Sequence, residues 1–211
     1  MAVSNEMEEV DERQPERRNG LRRIPNTSQG MTIEEKDNKV AISVKSWNRT
    51  ATLEIKVPRR TSLNLKTVND GEIVVRGVEG ELELGNTNGP IEAVNVAGSV
   101  VAGALNDDIK VTFTAVTPGK AMSFTNMNGD IDVTFPASLK ADLRMRSDMG
   151  EILTDFDFEA VAATSRSQEG GGEGKGFRLK IENEVHAKVG GGGAEIVFKN
   201  FNGDVLIRKG K

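Results

Sequence analysis

Apolar and polar residues alternate along most of this chain in short runs, a pattern that predicts β-strands with one buried face. The alternation begins with Val40 and Ile42 and continues in many further runs to Val205 and Ile207. A helical period is nearly absent, because the one competing stretch, residues 158–164, is short, uncapped and followed by glycines. The pattern therefore predicts an all-β protein.

A regular glycine spacing indicates how the strands are connected. Between residues 71 and 115 the chain consists of five nine-residue units, and the third and fifth residues of each unit are apolar. The units begin at Gly71, Gly80, Gly89, Gly98 and Asp107. The residue that closes a unit alternates in kind, so that Asp or Asn returns in every second unit. The true repeat is therefore eighteen residues, with two strands and two corners.

Two folds are compatible with this repeat. Asn-Gly pairs between alternating strands are also a hairpin signal, so an antiparallel β-meander or sandwich is the alternative. Matching corners eighteen residues apart favour a solenoid, in which they stack about 4.8 Å apart and form a hydrogen-bonded ladder. The predicted ladder contains Asp70, Asn88, Asn106 and Asn128. Because parallel crossovers are right-handed by default, the sequence predicts a right-handed single-stranded β-helix, or β-solenoid, with about 18-residue coils.

The chain divides into a leader and a main domain. Residues 1–37 are rich in mixed charges and are predicted to be a flexible leader. Residues 38–211 form the predicted solenoid, with glycine-rich loops near 165–176 and 190–193. A four-residue excess around residues 117–119 is expected to be a further loop at a corner.

Composition limits the chemistry that this chain can perform. Its 211 residues carry a net charge of -4, which gives no overall attraction to nucleic acid or anionic membranes. No run approaches the roughly 20 apolar residues of a membrane-spanning helix. The absence of cysteine excludes disulfides, and a single histidine disfavours zinc sites with several histidine ligands. The first 20 residues lack the apolar segment of a signal peptide.

Several segments resemble a bacterial putative-adhesin domain family of unknown function, whose members are built from repeated β-strand coils. These segments are 63–71 (LNLKTVNDG), 122–136 (MSFTNMNGDIDVTFP), 146–152 (RSDMGEI) and 198–208 (FKNFNGDVLIR). The resemblance covers roughly residues 38–211. It implies a right-handed β-helix-like solenoid and export to the cell envelope. No catalytic residues are established for the family, so the resemblance assigns none to this chain.

Two motifs superficially suggest ligand binding. The glycine-rich segment 170–176 (GGGEGKG) is similar to a phosphate-binding loop, but no Ser or Thr follows Lys175 and no helix pattern follows the loop. Two pairs of carboxylates, Asp130 with Asp132 and Asp155 with Asp157, fall two residues apart, which places each pair on one strand face. Two ligands are too few for a calcium ion, so surface carboxylates are the preferred interpretation.

Acidic residues at corners also raise the possibility of a polysaccharide lyase or hydrolase, because such enzymes use carboxyl groups along a β-helix face. The acidic candidates are Asp107, Asp108, Asp130, Asp132 and Asp148. Solvated corners alone account for this number, and outward aromatic platforms are scarce. His186 lies between Val185 and Ala187, so alternation predicts that it points outward into solvent.

The leading functional hypothesis is a non-enzymatic β-solenoid of the cell surface or envelope that binds a protein or glycan through its strand faces. It assigns no catalytic, cofactor-binding or metal-binding residues, and it predicts neither nucleic-acid binding nor membrane insertion. The expected location is extracytoplasmic, with a cytoplasmic location left open by the missing signal. The alternatives are a scaffold that self-assembles through its end coils and a polysaccharide-acting enzyme.

Overall fold

The computed structural model describes residues 2–6, 17–18, 21–22, 30–45, 51–69, 71–161, 165–169, 178–182 and 184–211. Backbone contacts divide the chain into two units, residues 1–57 and residues 58–211. All regular elements in the described ranges are strands, so the all-β prediction is confirmed.

The first unit contains pairs of antiparallel strands. Its strands are β1 (Ala2–Glu6), β2 (Arg17–Arg18), β3 (Leu21–Arg22), β4 (Gly30–Lys36), β5 (Lys39–Lys45) and β6 (Thr52–Lys56). The pairs are β1 with β6, β2 with β3, and β4 with β5. Strand β4 lies within the segment predicted to be a flexible leader. It forms because Met31 and Ile33 alternate with polar residues and pair with Val44 and Ile42 of β5.

The second unit contains a curled sheet of thirteen strands and a separate hairpin. The sheet strands are β7 (Leu63–Thr67), β8 (Ile73–Arg76), β9 (Glu79–Asn88), β10 (Ile91–Asn106), β11 (Ile109–Val116), β12 (Met122–Asn128), β13 (Ile131–Phe135), β14 (Ala141–Ser147), β15 (Ile152–Thr154), β16 (Phe158–Val161), β19 (Val185–Val189), β20 (Ala194–Asn202) and β21 (Val205–Lys209). The hairpin consists of β17 (Ser165–Glu169) and β18 (Arg178–Glu182).

The sheet has two strips because β10 changes partners along its length. Its first half pairs with β8 and β11, and its second half pairs with β9 and β12. Strip A comprises β8, the first half of β10, β11, β13, β21 and β15. Strip B comprises β7, β9, the second half of β10, β12, β20, β14, β19 and β16. A short corner connects each strip B strand except β19 and β16 to the strip A strand that follows it.

Strand pairing over residues 63–135 is parallel and follows the predicted repeat from β8 onward, while β7 pairs with β9 one residue further along, Leu63 with Leu82. Ile73 pairs with Ile91, and Ile91 pairs with Ile109, eighteen residues further on in each case. The next step, from Ile109 to Ile131, is longer because it includes the predicted loop around residues 117–119. Neighbouring strands here run in the same direction, whereas an antiparallel meander would require them to run in opposite directions.

The C-terminal strands do not continue this series at its end. Strand β20 lies between β12 and β14, and β21 lies between β13 and β15. The last strands of the chain are thus inserted between strands that precede them. Beyond β14 the sheet ends with β19 and β16, which are antiparallel to their neighbours.

Phenylalanines join the two strips across the core. Phe113 stacks on Phe135 within strip A, and Phe124 stacks on Phe198 within strip B, with ring centroids 5.1 Å apart in both pairs. Phe135 meets Phe124 and Phe198 edge-on, each at 6.4 Å. The inward residues of both strips therefore share one apolar core.

The corner ladder is present, but it is exposed. Asn106 Nδ2 donates to Asn88 Oδ1 at 2.7 Å, and Asn128 Nδ2 donates to Asn106 Oδ1 at 3.0 Å. Asn69 provides the next position, since Asn88 Nδ2 lies 3.4 Å from Asn69 Oδ1, while Asp70 lies outside the described residues. A ladder in contact with water contributes less stability than a buried one, because water replaces its hydrogen bonds.

The structure describes the two predicted glycine-rich loops to different extents. Residues 165–169 form strand β17, and residues 170–177 lie outside the described residues. Residues 190–193 form the tight turn between β19 and β20, where Gly190, Gly191 and Gly192 have φ values between 60° and 87°. Glycine suits this turn because other residues rarely adopt positive φ.

Candidate functional site

The carboxylate pairs considered as cation ligands make contacts within the protein. Asp132 Oδ1 accepts from Arg208 Nε at 2.8 Å, and this hydrogen bond raises the pKa of the Arg208 guanidinium. Asp155 Oδ1 accepts from the backbone N–H of Lys209 at 2.6 Å. No group of three or more His, Cys, Asp or Glu side chains among the described residues is arranged to hold a metal ion. These carboxylates connect neighbouring strands.

Corner carboxylates form a second ladder. Asp108 Oδ1 accepts from the backbone N–H of Asp130, Asp130 Oδ1 from that of Asp204, and Asp204 Oδ1 from that of Glu151, each at 2.8 Å. Each carboxylate therefore satisfies a backbone donor in the next corner. This role explains why acidic residues recur at the corners.

The remaining acidic candidates are dispersed. Asp107 occupies a corner with φ 90°, where other corners have glycine, and Asp148 pairs with Arg146 at 2.7 Å. Asp157 is exposed. The segment 170–176, considered as a phosphate-binding loop, lies outside the described residues.

An ion-pair cluster joins β14 to β19. Arg144 donates to both Glu184 oxygens, at 3.2 and 3.1 Å, and its Nη1 lies 3.4 Å from Glu195 Oε2. The hydrogen bonds from Arg144 lower the pKa of the Glu184 carboxyl, which is only 10% exposed. His186 lies on the side of β19 opposite the buried Ala187, with its Nε2 3.2 Å from Glu184 Oε2. It is half-buried rather than solvent-exposed, because this neighbour covers it.

Two adjacent strands of strip B have an uncharged outer side, in contrast to strip A. On strip A, Arg76 pairs with Glu92 at 3.5 Å and Arg208 pairs with Asp132 at 2.8 Å. On strip B, the outward residues of the second half of β10 and of β12 carry no charge. This part of strip B is therefore the candidate for a contact surface.

Exposed apolar side chains define that surface, which we call the outer face of strip B. Val101, Leu105, Met127 and Phe201 lie on β10, β12 and β20, and they are between 39% and 49% exposed. Val197 of β20 is half-buried beside them. Strand register places Leu105, Met127 and Phe201 side by side in one apolar row on adjacent strands, and Val101 and Val197 lie two rows away on the same face.

Small residues form the middle row of this face, and charges lie at its two ends. Gly85, Gly103 and Thr125 are paired across three adjacent strands. At the β7 end, Glu83 accepts from Asn64 at 2.7 Å and pairs with Lys66 at 2.8 Å. At the other end, the outward cations of β20 and β14 are Lys199, Arg144 and Arg146. Lys199 lies between Val197 and Phe201 on β20, so the uncharged centre of the face consists of β10 and β12.

The apolar alternation predicts the inward residues of these strands and does not by itself identify this outer face. A signal was nevertheless present, because apolar residues directly precede three corner asparagines. These dipeptides are Leu105-Asn106, Met127-Asn128 and Phe201-Asn202. Alternation places each apolar member outward, where no core requires it.

Comparisons with known proteins identify the family of this chain. A model of the family described as Toastrack DUF4097 matches residues 61–184. The chain belongs to this family. This membership confirms the resemblance to an adhesin-like family of unknown function.

Other comparisons are more distant. A solved structure described as a putative cell adhesion protein from Clostridium sporogenes has 14% sequence identity and a TM-score of 0.43, and the match covers 85% of this chain and 76% of that chain. No curated protein matches this Toastrack-family chain. Within the described ranges, no helix has the length and apolar character needed to cross a membrane.

Proposed function

We propose that this Toastrack-family protein is a non-enzymatic, right-handed β-solenoid module of the bacterial cell surface or envelope. Parallel pairing eighteen residues apart supports a solenoid, and the handedness of parallel crossovers supports a right-handed coil. Its role is to bind a protein or glycan partner with the outer face of strip B.

The observation that carries this proposal is the exposed apolar surface on a rigid sheet. Val101, Leu105, Met127 and Phe201 lie on strands that are paired on both sides. Contiguous apolar patches on soluble proteins commonly mark interaction sites. A surface on paired strands also loses little conformational entropy when a partner binds.

The carboxylate contacts support a role without catalysis. A polysaccharide hydrolase needs two carboxyl groups that are available to the substrate as acid and base or nucleophile. Asp130 and Asp132 instead accept hydrogen bonds from Asp204 and Arg208. We expect no turnover on a panel of acidic and neutral polysaccharides, and turnover that is lost in Asp132→Asn would overturn this part of the proposal.

Fractionation of cells that express the native gene, with sequencing of its encoded N-terminus, tests the location. An envelope or secreted protein is the expected result. Recovery only in the cytoplasmic fraction would contradict a surface role.

A binding assay tests the face itself. The purified chain is applied to immobilised envelope glycans and extracellular host proteins, and the variant Phe201→Glu is compared with Leu153→Glu. Leu153 is a matched control, because it is 46% exposed on strip A. Phe201→Glu should weaken binding at least tenfold while Leu153→Glu leaves it unchanged; equal effects would remove the assignment to strip B.

A self-assembling scaffold is the second candidate. In the described part of the chain, β7 and β8 each pair along one edge only, so their other edges have free backbone donors and acceptors. End-to-end pairing predicts concentration-dependent filaments in electron micrographs. Monomeric scattering at high concentration would exclude it.

A further inference from the structure

We infer that the outer face of strip B binds a second copy of this chain, about a two-fold axis that runs along β12. The inference rests on the proposed binding role of this face and names its occupant. A two-fold axis is the commonest symmetry of soluble homodimers, and it requires a face that is complementary to itself.

The apolar residues of the face meet this requirement. A two-fold axis along β12 keeps the strands of both copies parallel, which is the aligned mode of sheet packing. It places Met127 opposite Met127 of the second copy. The strands on either side of β12 exchange places, so Val101 faces Val197 and Leu105 faces Phe201. Each large apolar residue therefore meets another.

The middle row also fits this axis. Gly103 and Lys199 lie on the strands next to β12, and Gly85 and Arg146 lie one strand further out. Rotation about β12 places each long cation opposite a glycine. The missing glycine side chains leave room for the aliphatic stems of Lys199 and Arg146, which can cover apolar surface while their charges reach water.

Charges select this axis over its neighbour. Rotation about β12 brings Glu83 of one copy opposite Arg144 of the other, an attractive pair at the rim. An axis between β10 and β12 would instead bring Lys66 opposite Arg146, which is repulsive. Both axes place like charges in the row beyond the face, where Glu81 lies opposite Asp142 or Glu195, so the attractive pair within the face distinguishes the first arrangement.

The size of the face is sufficient for a weak dimer. Five strands about 4.8 Å apart, with three outward rows, cover roughly 24 Å by 15 Å. With both copies and their side chains included, the buried area is on the order of 1,000 Å², the lower limit of a specific interface. We therefore expect a dissociation constant in the micromolar range.

Sedimentation equilibrium of the full chain over a wide concentration range is the first test. The expected result is a monomer–dimer equilibrium. Met127→Glu places two carboxylates across the axis and should weaken dimerisation at least tenfold, while Leu153→Glu should leave it unchanged. Met127 is 48% exposed, so its substitution is compatible with folding, which circular dichroism checks.

Cross-linking then tests the position of the axis. The chain has no cysteine, so each introduced thiol is unique. Treatment with a short bismaleimide, which spans the roughly 10 Å between packed sheets, should join two copies of Met127→Cys. Leu105→Cys alone should cross-link poorly, and mixing it with a separate chain that carries Phe201→Cys should restore the product. Leu153→Cys on strip A is the control.

The results separate this inference from the proposed function. A chain that remains monomeric at all concentrations, or that cross-links through Leu153→Cys but not through Met127→Cys, overturns the dimer. If Phe201→Glu still weakens binding to a glycan or protein in that case, the proposed function remains and the face has a different occupant. A dimer that binds no partner supports the inference alone.

Discussion

Buried asparagines stabilise the corners from inside. Asn126 Nδ2 donates to the carbonyl oxygen of Asp107, and Asn200 Nδ2 donates to that of Gly129, both at 2.9 Å. Each asparagine therefore satisfies a corner carbonyl in the preceding level of the sheet. Both side chains are almost fully buried, so these bonds are protected from water.

We expect Asn126→Leu to destabilise the protein by about 1–3 kcal/mol, because it removes the part-buried hydrogen bond from the buried Asn126 side chain to the carbonyl oxygen of Asp107. The matched control is Asn106→Leu in the exposed ladder, which should cost no more than about 0.5 kcal/mol, as is usual for surface positions. Urea unfolding followed by circular dichroism measures both. Equal losses would show that the inner bond has no special role.

A corner glycine provides another test at a single residue. Gly203 has φ 125°, and an added Cβ would lie 2.3 Å from the carbonyl oxygen of Gly129. Gly203→Ala should therefore cost at least about 1–3 kcal/mol, the usual range for a strained backbone conformation. Gly103→Ala is the control, since its Cβ would meet nothing within 4 Å. A small effect at Gly203, measured by thermal unfolding, would contradict this account.

Residue roles could be predicted only in part. The recurrence of asparagine identified Asn88, Asn106 and Asn128 as stacked, and they are. Alternation also predicts that Met122, Phe124 and Asn126 face inward. Because Asn126 is polar, however, its sequence position does not indicate that its side chain is buried. Burial of Asn126 depends on a carbonyl from another corner, which the periodicity does not reveal.

The two sides of strand β20 should contribute differently to stability. Phe198 is fully buried and stacks on Phe124, whereas Phe201 is 49% exposed on the outer face. Phe198→Ala should lower the free energy of unfolding by about 3–5 kcal/mol. Phe201→Ala should change the free energy of unfolding by less than about 1 kcal/mol, because about half of the Phe201 side chain stays exposed to water in the folded protein. Chemical denaturation of both variants distinguishes a core strand from a peripheral one.

The contact between β14 and β19 should weaken in acid. The pKa of Glu184 is below its ordinary value of 4.5, mainly because Arg144 donates hydrogen bonds to its carboxylate. Its contribution is therefore present above the unfolded pKa and is lost as pH falls through the folded pKa. Between pH 7 and pH 3, Glu184→Gln should lose less stability than the unmodified protein, and the exposed Glu159→Gln should behave like the unmodified protein. Identical pH profiles for all three would contradict this assignment.

Strand existence was easier to predict than strand order. The runs beginning at Ile73, Ile91, Ile109 and Ile131 appeared as expected, because each carries its own alternation. The insertion of β20 between β12 and β14 could not be predicted, since every strand here has a similar apolar pattern. Such strands can pair with several neighbours, and the choice depends on packing among Phe124, Phe198 and Met145 rather than on local pattern.

At the scale of the whole molecule, the inserted strands β20 and β21 connect β14 and β15 to the rest of the sheet. Strands β14 and β15 each pair with β20 or β21, and β19 pairs with β14. Native-state hydrogen exchange should therefore show that β14 and β15 open whenever β20 and β21 open. The pairing of β9 with β10 should remain protected longer. Continued protection of β14 and β15 during opening of β20 would contradict this order.

The insertion has a consequence for biosynthesis. Residues 194–211 leave the ribosome after the strands with which they pair, yet they occupy the interior of the sheet. Until they emerge, strands β12 and β13 have no neighbour on one edge, and β14 and β15 have not yet obtained their parallel partners. The fold is therefore completed only after residues 194–211 have been synthesised, and a chain that terminates before them carries an open, aggregation-prone edge.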